Sequence, residues 1–110
     1  MTVGIARLAL FIGASHSLKE KRMVLRRVRD LVRQKFNVSI AEVGEDNDVW
    51  QRAILGIAVV GNDRRFVEGA LDEVIGFVRA KADVTGEERE LQTFNDGEAL
   101  IGPDFRHWQG

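Results

Sequence analysis

Four strand-like stretches and two long helical stretches, in the order β-α-β-β-α-β, predict an α+β domain with two helices on one face of a four-stranded antiparallel sheet. Three observations carry this. Apolar residues recur at three- and four-residue spacing in two windows, shorter runs alternate or are apolar throughout, and Gly, Asn and Asp punctuate the boundaries. That element order is the split β-α-β unit, the ferredoxin-like arrangement.

The chain opens with Thr2–Ile12, where Val3 and Ile5 share one phase and Leu8, Leu10 and Ile12 the other. A strand with a bulge near Ala6–Arg7 reconciles the two phases, and Phe11 is expected in the core. Gly13-Ala14-Ser15-His16 reads as a turn, and Ser17 with Glu20 three residues on is a capping-box pair. The first helix is expected from Leu18 to about Phe36. Its core stripe is Val24, Val28, Leu31, Val32 and Phe36, with Leu25 at the margin.

Asn37–Val43 predicts a half-buried second strand, followed by the acidic connection Gly44-Glu45-Asp46-Asn47-Asp48. Gln51–Val60 is apolar in both phases, the pattern of a central strand covered on both faces. Gly61-Asn62-Asp63 supplies a turn and a cap. Phe66, Val67, Ala70, Leu71, Val74, Ile75 and Val78 then mark a second amphipathic helix ending near Lys81. Asp83–Phe94 is expected as a glutamate-rich edge strand whose charge discourages edge-to-edge pairing. Residues 1–94 thus make one domain, and 95–110, with Leu100, Ile101, Phe105 and Trp108 among glycines, a C-terminal tail docked on the domain or on a partner. Helices on one side leave the other sheet face open, so a homodimer through that face is expected.

Composition excludes several classes of function. The 110 residues, 45% hydrophobic and 30% charged, suit one globular domain. With no cysteine there is no thiolate zinc site, iron–sulfur ligation or cysteine nucleophile. Only His16 and His107 are available as imidazoles, and no phosphate loop or serine elbow occurs. Glu45-Asp46-Asp48 and Glu87-Glu88-Glu90 lack the spacing of a calcium loop. No catalytic residue, metal site or cofactor is expected, and the protein reads as a non-enzymatic one. The N-terminal stretch carries Arg7 and has neither a basic leader nor the length of a membrane span, so a cytoplasmic, membrane-free setting is the expectation.

Charge is unevenly distributed. Residues 1–55 hold ten Lys/Arg against six Asp/Glu, and residues 56–110 hold six against eleven. Eight of the basic residues lie on the first helix. At about 100° per residue, Lys19, Arg22, Arg26, Arg29 and Arg33 fall within an arc of roughly 80°, a ridge separate from the apolar stripe. Arginine-rich ridges grip phosphate, and this one reads as an RNA-binding face that recognises backbone and shape. A solvated face neutralised by the acidic second half of the chain is the competing reading. Single-stranded RNA readers on this architecture stack bases on strand aromatics, which Ala53-Ile54-Leu55-Gly56-Ile57-Ala58-Val59 lacks.

Smaller features have plain structural readings beside the functional ones. Trp50 and Arg52, flanking the start of the third strand, are candidate partner contacts, against simple packing of an indole at a strand end. His16 and Gly61-Asn62-Asp63-Arg64-Arg65 each stand at a helix N-terminus, where ordinary turn and capping chemistry accounts for them.

Four segments, in order, carry a family resemblance: Ser17-Leu18-Lys19-Glu20-Lys21-Arg22, Phe36-Asn37-Val38-Ser39-Ile40-Ala41-Glu42-Val43, Val49-Trp50-Gln51-Arg52-Ala53 and Val60-Gly61-Asn62-Asp63. The chain resembles, over about residues 1–94, the YlxP-like family of small bacterial proteins. That resemblance implies a ferredoxin-like fold, a bacterial cytoplasmic setting and genes near those for translation initiation and ribosome maturation. It implies no activity and supplies no catalytic residue. Two functions stay open: an RNA- or ribosome-associated factor using the basic helix, with ribosomal RNA or a ribosomal subunit as partner, and a dimeric interaction or small-ligand regulatory module using the open sheet face.

Overall fold

The computed structural model describes residues 1–13, 15–44 and 50–95. Residues 45–48 of the expected acidic connection and the tail from residue 96 lie outside them. The elements are β1 (Thr2–Phe11), α1 (Leu18–Lys35), β2 (Ser39–Val43), β3 (Arg52–Gly61), α2 (Arg64–Lys81) and β4 (Asp83–Thr93). They form one antiparallel sheet in the order β2-β3-β1-β4, with both helices on one side, confirming the ferredoxin-like order.

Local chemistry sets the helix ends. The Ser17 hydroxyl accepts from the Glu20 N–H at 3.1 Å, while the Glu20 carboxylate accepts from the N–H of His16 at 2.8 Å. Asp63 caps α2 by accepting from the Phe66 N–H at 2.8 Å. These bonds satisfy donors that have no partner inside a helix, and substituting such a cap costs about 1 kcal/mol. Both C-caps, Phe36 and Ala82, are extended, so each helix runs straight into a strand. At the end of β2, Gly44 adopts φ +90°, where a side chain is strained.

β1 and β3 pair without slip from Thr2↔Gly61 to Phe11↔Arg52. On the helix side, Ala6, Leu8 and Leu10 of β1 and Ala53, Leu55, Ile57 and Val59 of β3 are buried beneath Leu25, Val28 and Val32 of α1 and Val67, Leu71, Val74, Ile75 and Val78 of α2. Gly4 belongs to the same phase. A Cβ there meets Val67 and Leu71, so the missing side chain is what lets α2 lie on β1.

Four expectations need correction. β1 has no bulge: its two apolar phases serve two faces, and the irregularity falls in β4, opposite Ala9/Leu10. Phe11 is 43% exposed, because its parity with Ile5 and Arg7 puts it on the side away from the helices. In α1 the buried arc is Lys21, Leu25, Val28 and Val32, so Leu25 is central and Val24 is turned out. Phe66 begins the apolar stripe of α2 by spacing, yet its ring is exposed and lies over the bare backbone of Gly61.

β4 is tied to the body by hydrogen bonds and charge more than by apolar packing. Phe94 N–H donates to the Met1 carbonyl at 2.8 Å, and the Thr2 and Thr93 hydroxyls meet at 3.0 Å. On its helix-facing side, Arg79 of α2, Glu87, Arg89 and Asp72 of α2 form a chain of alternating sign, with N···O distances of 3.0, 2.7 and 2.5 Å. The hydrogen bond from Arg79, reinforced by that from Arg89, holds the Glu87 carboxyl below the usual glutamate range.

Two outcomes follow from this packing. Gly4→Val should lower the unfolding free energy by about 1–3 kcal/mol through overpacking, whereas Gly76→Ala, whose Cβ meets nothing within 4 Å, should raise it by up to about 1 kcal/mol; urea unfolding reads both. Because the Glu87 pKa is lowered by folding, its contribution is present above the ordinary glutamate pKa and disappears as pH falls through the lower folded value. Glu87→Gln should therefore be less stable than the parent near neutral pH, and the two unfolding curves should converge on acidification.

Candidate nucleic-acid interface

α1 packs against β2 and α2. Lys21 lies on its buried arc, 1% exposed, with Nζ 3.5 Å from a Glu42 carboxylate oxygen on the helix-facing side of β2. Taking a lysine and a glutamate out of water is costly unless they pair, so this contact favours one rotation of the helix about its axis. On one flank of that arc, Lys35 lies over the Phe77 ring of α2, 5.0 Å from its centroid. On the other flank, the Arg33 guanidinium donates to the carbonyl of Ile40 at 2.9 Å, at the free edge of β2. The basic ridge therefore runs along the outer margin of the sheet.

The five ridge residues divide by environment. Lys19, Arg22 and Arg26 are exposed and surround Met23, itself 63% exposed, in a depression of ≈ 230 Å³. Arg29 is half-buried, its Nε enclosed without a hydrogen-bond acceptor among the described residues. Arg33 is exposed but anchored to Ile40. Three cations around a polarizable thioether present charge for phosphate and a soft apolar surface for a sugar or base.

Among the described residues, no ion pair joins this ridge to the acidic second half of the chain. The ion pairs involving that half are Arg7–Glu88, Arg64–Glu68, Arg79–Glu87, Arg89–Asp72 and Arg89–Glu87, all within α2 and β4 or between β4 and β1. β4 and β2 are opposite edges of the sheet, so sequence polarity becomes spatial polarity.

Trp50 and Arg52 are exposed at the start of β3. Arg52 is paired with Phe11 on the open sheet face. His16 gives its backbone N–H to Glu20, and Arg64 pairs with Glu68, so both helix N-termini are engaged in local capping and helix contacts. The helical spacing placed the ridge but not the role of Met23, visible only as the one apolar residue among Lys19, Arg22 and Arg26. It also left Lys21 among the surface cations, although Lys21 precedes Leu25 by one helical turn and so shares its face.

Among the described residues, no group of three or more His, Asp or Glu side chains is placed to hold a metal ion. No described helix is long and apolar enough to cross a membrane.

Comparison with known proteins gives a family without an assigned activity. The family model described as "Protein of unknown function (DUF503)" matches residues 3–90. The uncharacterized protein YlxP of Bacillus subtilis (strain 168) is 45% identical over 76 residues, covering 69% of this chain and 82% of that protein. Among solved structures, a de novo designed protein with a ferredoxin fold overlays with a TM-score of 0.48 at 15% identity, over 90% of each chain. SnoaB, a cofactor-independent oxygenase from Streptomyces nogalater, overlays with a TM-score of 0.42 at 14% identity, over 89% of this chain and 97% of that one. Neither overlay is close enough to bear on function. On the extent of the family match and the identity to YlxP, this chain belongs to the YlxP-like family of unknown function, DUF503.

Proposed function

We infer that the protein is a non-enzymatic factor that binds structured RNA through α1. The observation that carries this reading is the ridge itself: Lys19, Arg22 and Arg26 project to solvent, and no acidic partner among the described residues pairs with them. Neutralisation by the acidic half was the strongest competing account of so much positive charge, and the ion pairs of α2 and β4 lie at the other edge of the sheet. A convex helix bearing cations contacts phosphates and reads shape, which suits double-stranded or tightly folded RNA better than an extended single strand. Arg29 and Arg33 complete the ridge, and the Arg33 bond to Ile40 holds that end of it in place. A ribosomal RNA surface suits the cytoplasmic, translation-linked setting that the family resemblance implies.

Titration of a fluorescent structured RNA and of isolated ribosomal subunits at two salt concentrations tests the reading. Affinity should fall steeply with salt. The triple variant Lys19→Gln, Arg22→Gln, Arg26→Gln should bind more weakly and reduce the slope of log K against log salt by about 2 to 3, close to one unit per lost phosphate contact. An unchanged slope in the folded triple variant removes the ridge from the mechanism.

A further inference from the structure

The face of the sheet turned away from the helices is largely apolar along β1 and β3, interrupted by Arg7 and Arg52, and acidic along β4, where Glu88 pairs with Arg7. Its rows follow from the strand register. Ile5 pairs with Ala58, Arg7 with Gly56 and Ala9 with Ile54, so each central row joins one large side chain to one small or absent one. Ile5 is 46% and Val60 62% exposed, a considerable apolar surface to leave in water.

We propose that this face binds a second copy of the chain, sheet on sheet, about a two-fold axis parallel to the strands and midway between β1 and β3. Such an axis lays β1 of one protomer over β3 of its partner at the same level. In two of these rows the large residue then sits over the small residue of the corresponding row, Ile5 over Ala58 and Ile54 over Ala9, while the place beside Gly56 is already taken by Val43 of the same protomer. A surface whose rows alternate in this way is self-complementary, which an isologous contact requires.

Charge selects the same axis. Glu88 and Glu90 lie along β4 at one margin of the face. A two-fold axis across the strands would stack the two acidic margins on each other. The axis along the strands instead carries each β4 over the partner's β2, whose open-face residues are Ser39, Ala41 and Val43. At one end of the sheet it also brings Arg52 over the ring of Phe11 and beside Asp83, a cation among its natural partners.

The area is adequate. Three strands of ten or eleven residues and the five-residue β2 give a footprint of roughly 550 Å². With the relief of the side chains this approaches the roughly 800 Å² per partner of a standard interface. The helices, and the ridge on α1, stay on the outside of such a pair, so the dimer and RNA binding are separable.

Sedimentation equilibrium of the full chain should give twice 12.3 kDa, with a dissociation constant in the micromolar range or below. Ala58→Trp, which fills the seat of the partner's Ile5, should weaken association by about tenfold or more while leaving the circular-dichroism melt of the protomer intact. Ala58→Ile alone should weaken it, and adding Ile5→Ala should restore it, because the swap preserves the large-on-small match. Arg52→Asp should likewise weaken association, and adding Asp83→Arg should recover it. A full chain that remains at 12.3 kDa up to about 100 µM overturns the proposal, whether residues 96–110 or a different protein then cover the face. A dimer indifferent to Ala58→Trp overturns it as well.

Discussion

The continuous ladder between β1 and β3 is the constraint on which the rest of the molecule depends. Side chains alternate along a strand, so a slip of one residue would exchange every buried group for an exposed one. Ten consecutive pairs without a bulge hold that phase. They place Ala6, Leu8 and Leu10 beneath the helices and leave Ile5, Arg7 and Ala9 on the opposite face. Both strands are apolar in both phases, so hydrophobicity alone does not choose between the two faces. Gly4 helps decide it: only the face with a missing side chain at that level accepts α2 so closely.

From this platform the helices acquire different roles. α2 lies over the centre of the sheet and supplies five of the eight buried apolar residues that the helices contribute. Its polar side reaches β4 through Asp72 and Arg79, so an edge strand with few buried apolar side chains is retained by an ion network. α1 lies toward β2, where Lys21–Glu42 and Arg33–Ile40 link helix to strand. The packing that buries Leu25, Val28 and Val32 therefore also orients Lys19, Arg22 and Arg26 to solvent. Stability and the candidate interface come from one rotational setting of one helix.

The same architecture separates two kinds of surface. The helix side carries cations at the β2 margin and balanced ion pairs at the β4 margin, while the far side of the sheet carries the exposed apolar residues Ile5, Phe11 and Val60 together with the Arg7–Glu88 pair. The basic ridge and the exposed sheet face therefore lie on separate surfaces of one small domain, and neither occludes the other. The charge along β4 also makes continuation of the sheet past that edge into a neighbouring molecule unfavourable.

The amino-acid sequence by itself determined the element order, the helix boundaries and the angular position of the basic ridge, because these depend on local chemistry: Ser17 and Glu20 at one cap, Asp63 at the other, and a fixed turn of about 100° per residue. The tertiary structure decided which phase of β1 is core, and with it the exposure of Phe11, since both phases are rich in apolar residues and Arg7, in phase with Ile5 and Phe11, is the one local sign of the side left uncovered. It likewise decided that Lys21 is buried against Glu42, that Arg33 is engaged with Ile40, and that Glu87 and Asp72 make their ion pairs where α2 meets β4, at the far side of the sheet from β2. Each of these is a meeting between residues distant in sequence, set by strand order and register, and no local pattern encodes such a meeting.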